Sequence, residues 1–221
     1  LMSTIKTNEH ILVPDSVYGS TRRFIKEEFP RLDIEYQFYN SRDIANLENL
    51  IKKNTSVIYI ETPGTYTFEI IDIEEVVRVC KKYQLKSIID NTWATALYFN
   101  PLEFGIDIVI EAVTKYISGH SDIMMGAIVA NDKNLINLQR WTKNSGIYVS
   151  PDDVYLSLRG LRTLPLRLKE SSENSFALAK YLETKKEVKK VIHPALTQHP
   201  EHERWKKYFN GSSGLFAIEF Q

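Results

Sequence analysis

Four short apolar runs stand out along a chain of otherwise mixed character: Ser56-Val57-Ile58-Tyr59-Ile60, Ser87-Ile88-Ile89, Asp107-Ile108-Val109-Ile110 and Ala127-Ile128-Val129-Ala130. None alternates with polar residues, so each is expected to be a strand covered on both faces, as in a parallel sheet. The third is expected to continue toward Ala112-Val113. Between the first two runs the period becomes helical. Asp72 is placed to cap that helix and Glu75 to complete a capping box. Val76, Val77, Cys80 and Tyr83 then fall on one face, opposite Arg78, Lys81 and Lys82. Upstream, Ser41 is placed to cap a helix striped by Ile44, Leu47 and Ile51. Strand–helix–strand order predicts right-handed crossovers and an α/β fold, a mostly parallel sheet flanked by helices.

From about Pro165 the texture changes. A long polar helix is expected through Ala179-Lys180-Tyr181-Leu182, with the charge run Lys185-Lys186-Glu187-Val188-Lys189-Lys190 as its solvated end. Val191-Ile192-His193 and Leu215-Phe216-Ala217-Ile218-Glu219-Phe220 look like strands of a second unit. The expected division is 1–161, a large domain lacking its N-terminal part, and 162–221, the beginning of a smaller α+β C-terminal domain. The first residues show no obvious element and the last strand stops at Gln221, as expected of an interior portion of a longer chain.

Composition narrows the class. With 221 residues, 43% hydrophobic and 25% charged, 9 Gly and 8 Pro, collagenous, coiled-coil and disordered chains are excluded. Lys and Arg number 28, as do Asp and Glu, so no overall field draws nucleic acid or an anionic membrane. No apolar run approaches the roughly 18 residues of a membrane span. The start has no apolar h-region of a signal peptide. The single cysteine, Cys80, cannot form an internal disulfide and favours a reducing compartment. The expectation is a cytoplasmic protein acting on a small molecule.

In open parallel sheets ligands bind outside the carboxyl ends of the strands, so the residues after each run carry the chemistry. The second run ends in Asp90-Asn91-Thr92-Trp93. The third leads to Thr114-Lys115-Tyr116 and then Ser118-Gly119-His120-Ser121-Asp122. An acid and an amine at two strand ends are what pyridoxal phosphate needs: a lysine to hold it as a Schiff base, and a carboxylate to keep its pyridinium nitrogen protonated. Other sheet ligands fit less well. There is no Gly-x-Gly-x-x-Gly and no Gly-Lys-Ser/Thr phosphate loop. His199 and His202 share a helical spacing but lack further ligands at metal spacing, so no metal site is expected. His120 reads as a structural hydrogen-bonding group and Cys80 as inert core.

These segments resemble a known family. Thr114-Lys115-Tyr116-x-x-Gly119-His120-Ser121-Asp122 is similar to the lysine signature of the Cys/Met-metabolism pyridoxal-phosphate enzymes. Asp90-Asn91-Thr92-Trp93 is similar to their pyridinium-binding strand end, and Ser157-Leu158-Arg159-Gly160-Leu161-Arg162-Thr163-Leu164 to the segment joining their two domains. The likeness runs from Tyr18 to Gly211-Ser212-Ser213-Gly214-Leu215-Phe216, nearly the whole chain. Trp93, where γ-acting members usually have Phe, and Gly64-Thr65-Tyr66-Thr67 after Glu61-Thr62-Pro63, where they usually carry Asn-Pro, resemble the bacterial cystathionine β-lyase branch.

The resemblance implies an aspartate-aminotransferase-like fold and a pyridoxal-phosphate-dependent carbon–sulfur β-lyase releasing homocysteine, pyruvate and ammonia from cystathionine. It implies that Lys115 carries the cofactor and removes the α-proton, that Asp90 pairs with the ring nitrogen, and that Tyr18 stacks on the ring in a catalytic role. Thr114 would give a hydroxyl to the phosphate; the second hydroxyl often found two residues earlier is Ala112 here. A phosphate-binding helix start, a partner-subunit Tyr-x-Arg and a carboxylate-binding arginine are expected outside these residues, so the stretch alone should not turn over. A homotetramer, a dimer of dimers, is implied. The alternatives are γ-elimination or replacement within the family, a cysteine desulfhydrase, or a non-catalytic scaffold.

Overall fold

A computed structural model describes all residues, 1–221. Six strands form one sheet: β1 (His10–Pro14), β2 (Glu35–Tyr39), β3 (Thr55–Glu61), β4 (Lys86–Asp90), β5 (Ile108–Glu111) and β6 (Ala127–Ala130). Their spatial order is β2-β1-β3-β4-β5-β6. The first five are parallel, and β6 pairs antiparallel with β5. The helices are α1 (Gly19–Glu28), α2 (Ile73–Tyr83), the short α3 (Thr95–Tyr98), α4 (Asp132–Asn144), α5 (Pro151–Leu182) and α6 (His202–Tyr208). A second, two-stranded antiparallel sheet joins β7 (Val188–Ile192) to β8 (Ala217–Phe220). The architecture is the expected α/β one, a mostly parallel sheet between helices.

Burial explains why the middle strands form. Val57, Ile58, Tyr59, Ile60, Ile88 and Ile89 are all buried. Alternate residues feed two apolar layers: Ile58, Ile60 and Ile89 join α2 on one side, while Val57, Tyr59 and Ile88 join Ile25 and Phe29 on the other. Helix α2 is capped as expected, with the Asp72 carboxylate accepting from the Glu75 N–H at 3.2 Å. The box is half complete, because the Glu75 carboxylate turns outward to Arg78. Val76, Val77 and Cys80 are buried, while Tyr83 sits at the solvent border with its hydroxyl on Glu48.

Several local expectations are corrected. β1 lies inside the sheet, between β2 and β3, and with β2 and α1 fills the stretch that looked featureless. Ser41 caps no helix: its hydroxyl binds Asp15 and Glu69, and Ile44–Leu50 is a 3₁₀ turn preceded by Asp43. β5 stops at Glu111 and the chain turns at Ala112. β6 is not covered on both faces, since Ile128 and Val129 are exposed. It is an edge strand reached by a loop that reverses direction, so one side has no neighbour. The polar helix begins at Pro151, well before Pro165, and passes through that proline. The charge run is a turn followed by β7, where Lys189 pairs with Glu219 across the ladder. Residues 161 and 162, where two domains were expected to meet, both lie on α5, a 32-residue helix. No helix is long and apolar enough to cross a membrane.

Candidate active site

Parallel strands release their carboxyl ends on one side, and β3, β4 and β5 end together in Glu61, Asp90 and Glu111. Two bonds hold the exits in register: the Asn91 N–H donates to Ile110 O at 2.9 Å, and the Ala112 N–H donates to Thr92 Oγ1 at 2.9 Å. Just beyond lies a cavity of about 380 Å³ whose lining includes Tyr18, Glu61, Asp90, Trp93, Lys115 and Leu215.

Within it, Lys115 Nζ lies 5.0 Å from the centre of the Tyr18 ring, close enough for a cation–π contact, and has no hydrogen-bond or ion-pair partner. Asp90 uses Oδ1 to accept the Thr92 N–H at 2.9 Å and leaves Oδ2 without a protein partner. A free amine, a free carboxylate oxygen and an exposed aromatic face therefore border one space. That donor set fits a protonated pyridine bearing an aldehyde, so these residues could hold pyridoxal phosphate.

Tyr18 is fixed by a residue that the sequence reading quoted without a role. Glu61, 7% exposed, accepts the Tyr18 N–H on Oε2 at 2.8 Å and the Thr65 hydroxyl on Oε1. Tyr18 precedes the first turn of α1, so this bond sets where its ring enters the cavity. Burial, helped by the neighbouring Asp90 charge, pushes the Glu61 carboxyl up to about 7 against the pull of its donors and of Lys115. Its only sequence signal is its place at the end of an apolar run.

The far wall comes from Gly214 and Leu215. The Trp93 Nε1–H donates to Leu215 O at 2.9 Å, and the Gly214 N–H donates to the Tyr116 hydroxyl at 3.0 Å. Two aromatics beside Asp90 and Lys115 thus hang the strand approaching β8 over the cavity.

Thr114 lies apart from this group. It borders a second, more open space of about 880 Å³ shared with Lys115, Tyr116 and Arg167. Its hydroxyl donates to Met125 O at 3.1 Å and accepts the Met125 N–H at 2.9 Å, so its one proton is engaged and must swing away to reach a phosphate. His120 Nδ1 lies 2.6 Å from Ser118 O, a local structural bond. His199 Nδ1 accepts the Glu201 N–H at 3.3 Å, and His202 Nδ1 lies 3.0 Å from Pro194 O. Cys80 is buried, its thiol pushed up to about 12 by desolvation.

The family model "Cys/Met metabolism PLP-dependent enzyme" matches residues 1–221. An L-alanine/L-glutamate racemase of Wolbachia pipientis wMel is 45% identical over 219 residues, 99% of this chain and 54% of that protein. A putative cystathionine beta-lyase of Rhizobium johnstonii is 43% identical over 214 residues, 97% of this chain and 54% of that protein. Among solved structures, cystathionine gamma-lyase from Lactobacillus plantarum, complexed with L-serine, superposes with a TM-score of 0.95 at 30% identity, covering 98% of this chain and 57% of that one. The chain spans about half the length of the curated relatives it matches.

Proposed function

The chain belongs to the Cys/Met-metabolism PLP-dependent enzymes, and from that premise we propose that its protein is a carbon–sulfur β-lyase, cleaving cystathionine to homocysteine, pyruvate and ammonia. One observation carries the reading: Lys115 Nζ and Asp90 Oδ2, both unpartnered, line a single cavity beside the Tyr18 ring. Pyridoxal phosphate bound there supplies an electron sink conjugated to the substrate α-carbon.

The roles of this chain's residues follow from their chemistry. Asp90 Oδ2 would accept the ring N–H in a charge-assisted bond and keep that proton in place. Lys115 would anchor the cofactor and, once displaced by the substrate amine, hold a lone pair at Nζ for the α-proton. Tyr18 would cover one ring face, its entry angle held by Glu61. Thr114 would reach the phosphate after releasing Met125 O. Trp93 and the turn Gly64-Thr65-Tyr66-Thr67, both in the cavity wall or beside it, favour cleavage at the β-carbon. The same reading carries a cytoplasmic enzyme assembled as a dimer of dimers.

A second reading has its own support in the racemase likeness. Racemisation begins with the same α-proton removal and needs a proton returned to the opposite face. Glu61, a carboxyl that titrates near 7 and lines the same cavity, would hold such a proton.

The experiment uses full-length protein loaded with pyridoxal phosphate. Pyruvate and homocysteine from cystathionine are the expected products, and Lys115→Ala abolishes both together with the visible absorption of lysine-linked cofactor. 2-Oxobutyrate would move the cleavage to the γ-carbon. Loss of chirality from L-alanine or L-glutamate without pyruvate release would make the protein a racemase. Full activity in Lys115→Ala would overturn every version.

A further inference from the structure

The geometry points to Arg167 as a positioning residue: its guanidinium clamps the turn that carries Lys115 onto helix α5 and so fixes where the Lys115 amine stands. Arg167 lies on α5, far along the chain from the lysine and outside the cavity that Lys115 shares with Asp90.

Four of its N–H groups are engaged. Nη1 donates to Tyr116 O at 2.8 Å, and Nη2 donates to Ile117 O at 3.2 Å and to Gly160 O at 2.7 Å. Nε donates to the Thr163 hydroxyl at 2.9 Å. Three of the four acceptors are backbone carbonyls, and Arg167 makes no ion pair. A guanidinium with five fixed donors is here spent almost wholly on protein carbonyls, which suits bracing better than capture of an anion. Burial without a carboxylate pulls its pKa below the usual arginine value.

The turn is shaped to receive this clamp. Gly119 has φ +73°, a left-handed conformation that costs glycine least, and any Cβ there would collide with the Arg167 guanidinium. On α5, a Cβ at Gly160 would overlap Ser118 O and Ile117 O. Two glycines therefore let the turn and the helix close to backbone contact, and Arg167 bolts the joint. Within the turn the Ser118 N–H donates to Val113 O at 2.9 Å and the Gly119 N–H to Lys115 O at 2.8 Å. Tyr116, immediately after the lysine, is thus held by its carbonyl to α5 and by its hydroxyl to Gly214. The Lys115 amine has no hydrogen-bond or ion-pair partner and meets only the Tyr18 ring, so its position is set chiefly from its backbone.

The role in catalysis rests on the proposed chemistry of Lys115; the clamp does not. Two readouts separate them. In full-length, cofactor-free protein, Arg167→Met should speed hydrogen exchange of the Ser118 and Gly119 amides by about tenfold or more, the factor for one lost charge-assisted bond. The amides of β3 and β4 serve as the folding control and stay unchanged. Arg167→Lys, which keeps the charge without the fork, should leave exchange nearly as fast and stands in if the Met variant fails to fold. In the loaded protein, kcat should fall about tenfold or more with KM little changed, and added guanidinium should restore part of it. Unchanged exchange in the turn, or a KM effect with kcat intact, would overturn the assignment. Faster exchange in a protein that proves not to be a lyase would leave the clamp standing and remove only the proposed reaction.

Discussion

Glu61 offers the most quantitative test, because its buried carboxyl should leave a mark on stability against pH. It titrates near 7 in the folded protein and near 4.5 in an unfolded chain. Between those values the folded state binds more protons than the unfolded one, so its contribution is fully present below pH 4.5 and is lost as pH rises through 7. Integrated from pH 5 to pH 8, the loss is about 2 to 3 kcal/mol. His193 and His199, both pulled down to about 4 by burial, tilt the profile the other way by staying neutral where unfolded imidazoles take protons. The bare profile therefore mixes opposing slopes, and the comparison must be with Glu61→Gln, which removes only the one carboxyl. Urea unfolding of full-length, cofactor-free protein at pH 5 and pH 8 supplies the measurement. With a denaturant slope of about 2 to 3 kcal/mol per molar, wild type should lose about 1 M more of its midpoint than the variant over that interval. Profiles that run parallel, separated by a constant, would refute the argument that Glu61 is held as a buried acid beside Asp90.

Two further predictions follow from single contacts. Trp93→Phe keeps an aromatic ring against Phe209, now 5.9 Å between centroids, but removes the bond to Leu215 O. We expect a cost of about 1 kcal/mol and a melting temperature lower by roughly 2 to 4 °C, with cofactor affinity weakened in a titration; no change in either would show that the indole does not hold the cavity wall. Cys80, its thiol pushed up to about 12, should resist a thiol reagent at pH 8 in native protein and react stoichiometrically once urea unfolds it, whereas rapid native labelling would contradict its burial.

How far the fold could be read in advance depended on which faces each strand buries. β3, β4 and the start of β5 announced themselves because both faces are apolar. β1 is just as buried, but it opens with His10, a polar residue whose Nδ1 lies 2.8 Å from Thr55 Oγ1, which broke the pattern. β2 has one exposed edge, and Glu35-Tyr36-Gln37-Phe38 accordingly reads as polar surface. Asp90 and Lys115 were visible as an acid and an amine following adjacent runs, needing no long-range knowledge. Tyr18 needed the family resemblance, since a tyrosine before a helix carries no local signal. Arg167 and Glu61 were out of reach for a different reason. Apart from one threonine hydroxyl each, Thr163 and Thr65, their partners are backbone groups, which every residue possesses, so residue type and spacing say little of them. Ser41 shows the reverse error: a hydroxyl well placed for a cap was claimed by two carboxylates, Asp15 and Glu69, from other segments.

The cavity wall at Leu215 has a consequence for how such a site comes into being. Tyr18, Asp90 and Lys115 are all synthesised before the panel facing them, which arrives almost two hundred residues after the tyrosine. Until it is delivered and hung on Trp93 and Tyr116, the pocket is a cleft open to water on that side. Cofactor loading should then wait for that panel, gated by the arrival of a segment that does none of the chemistry.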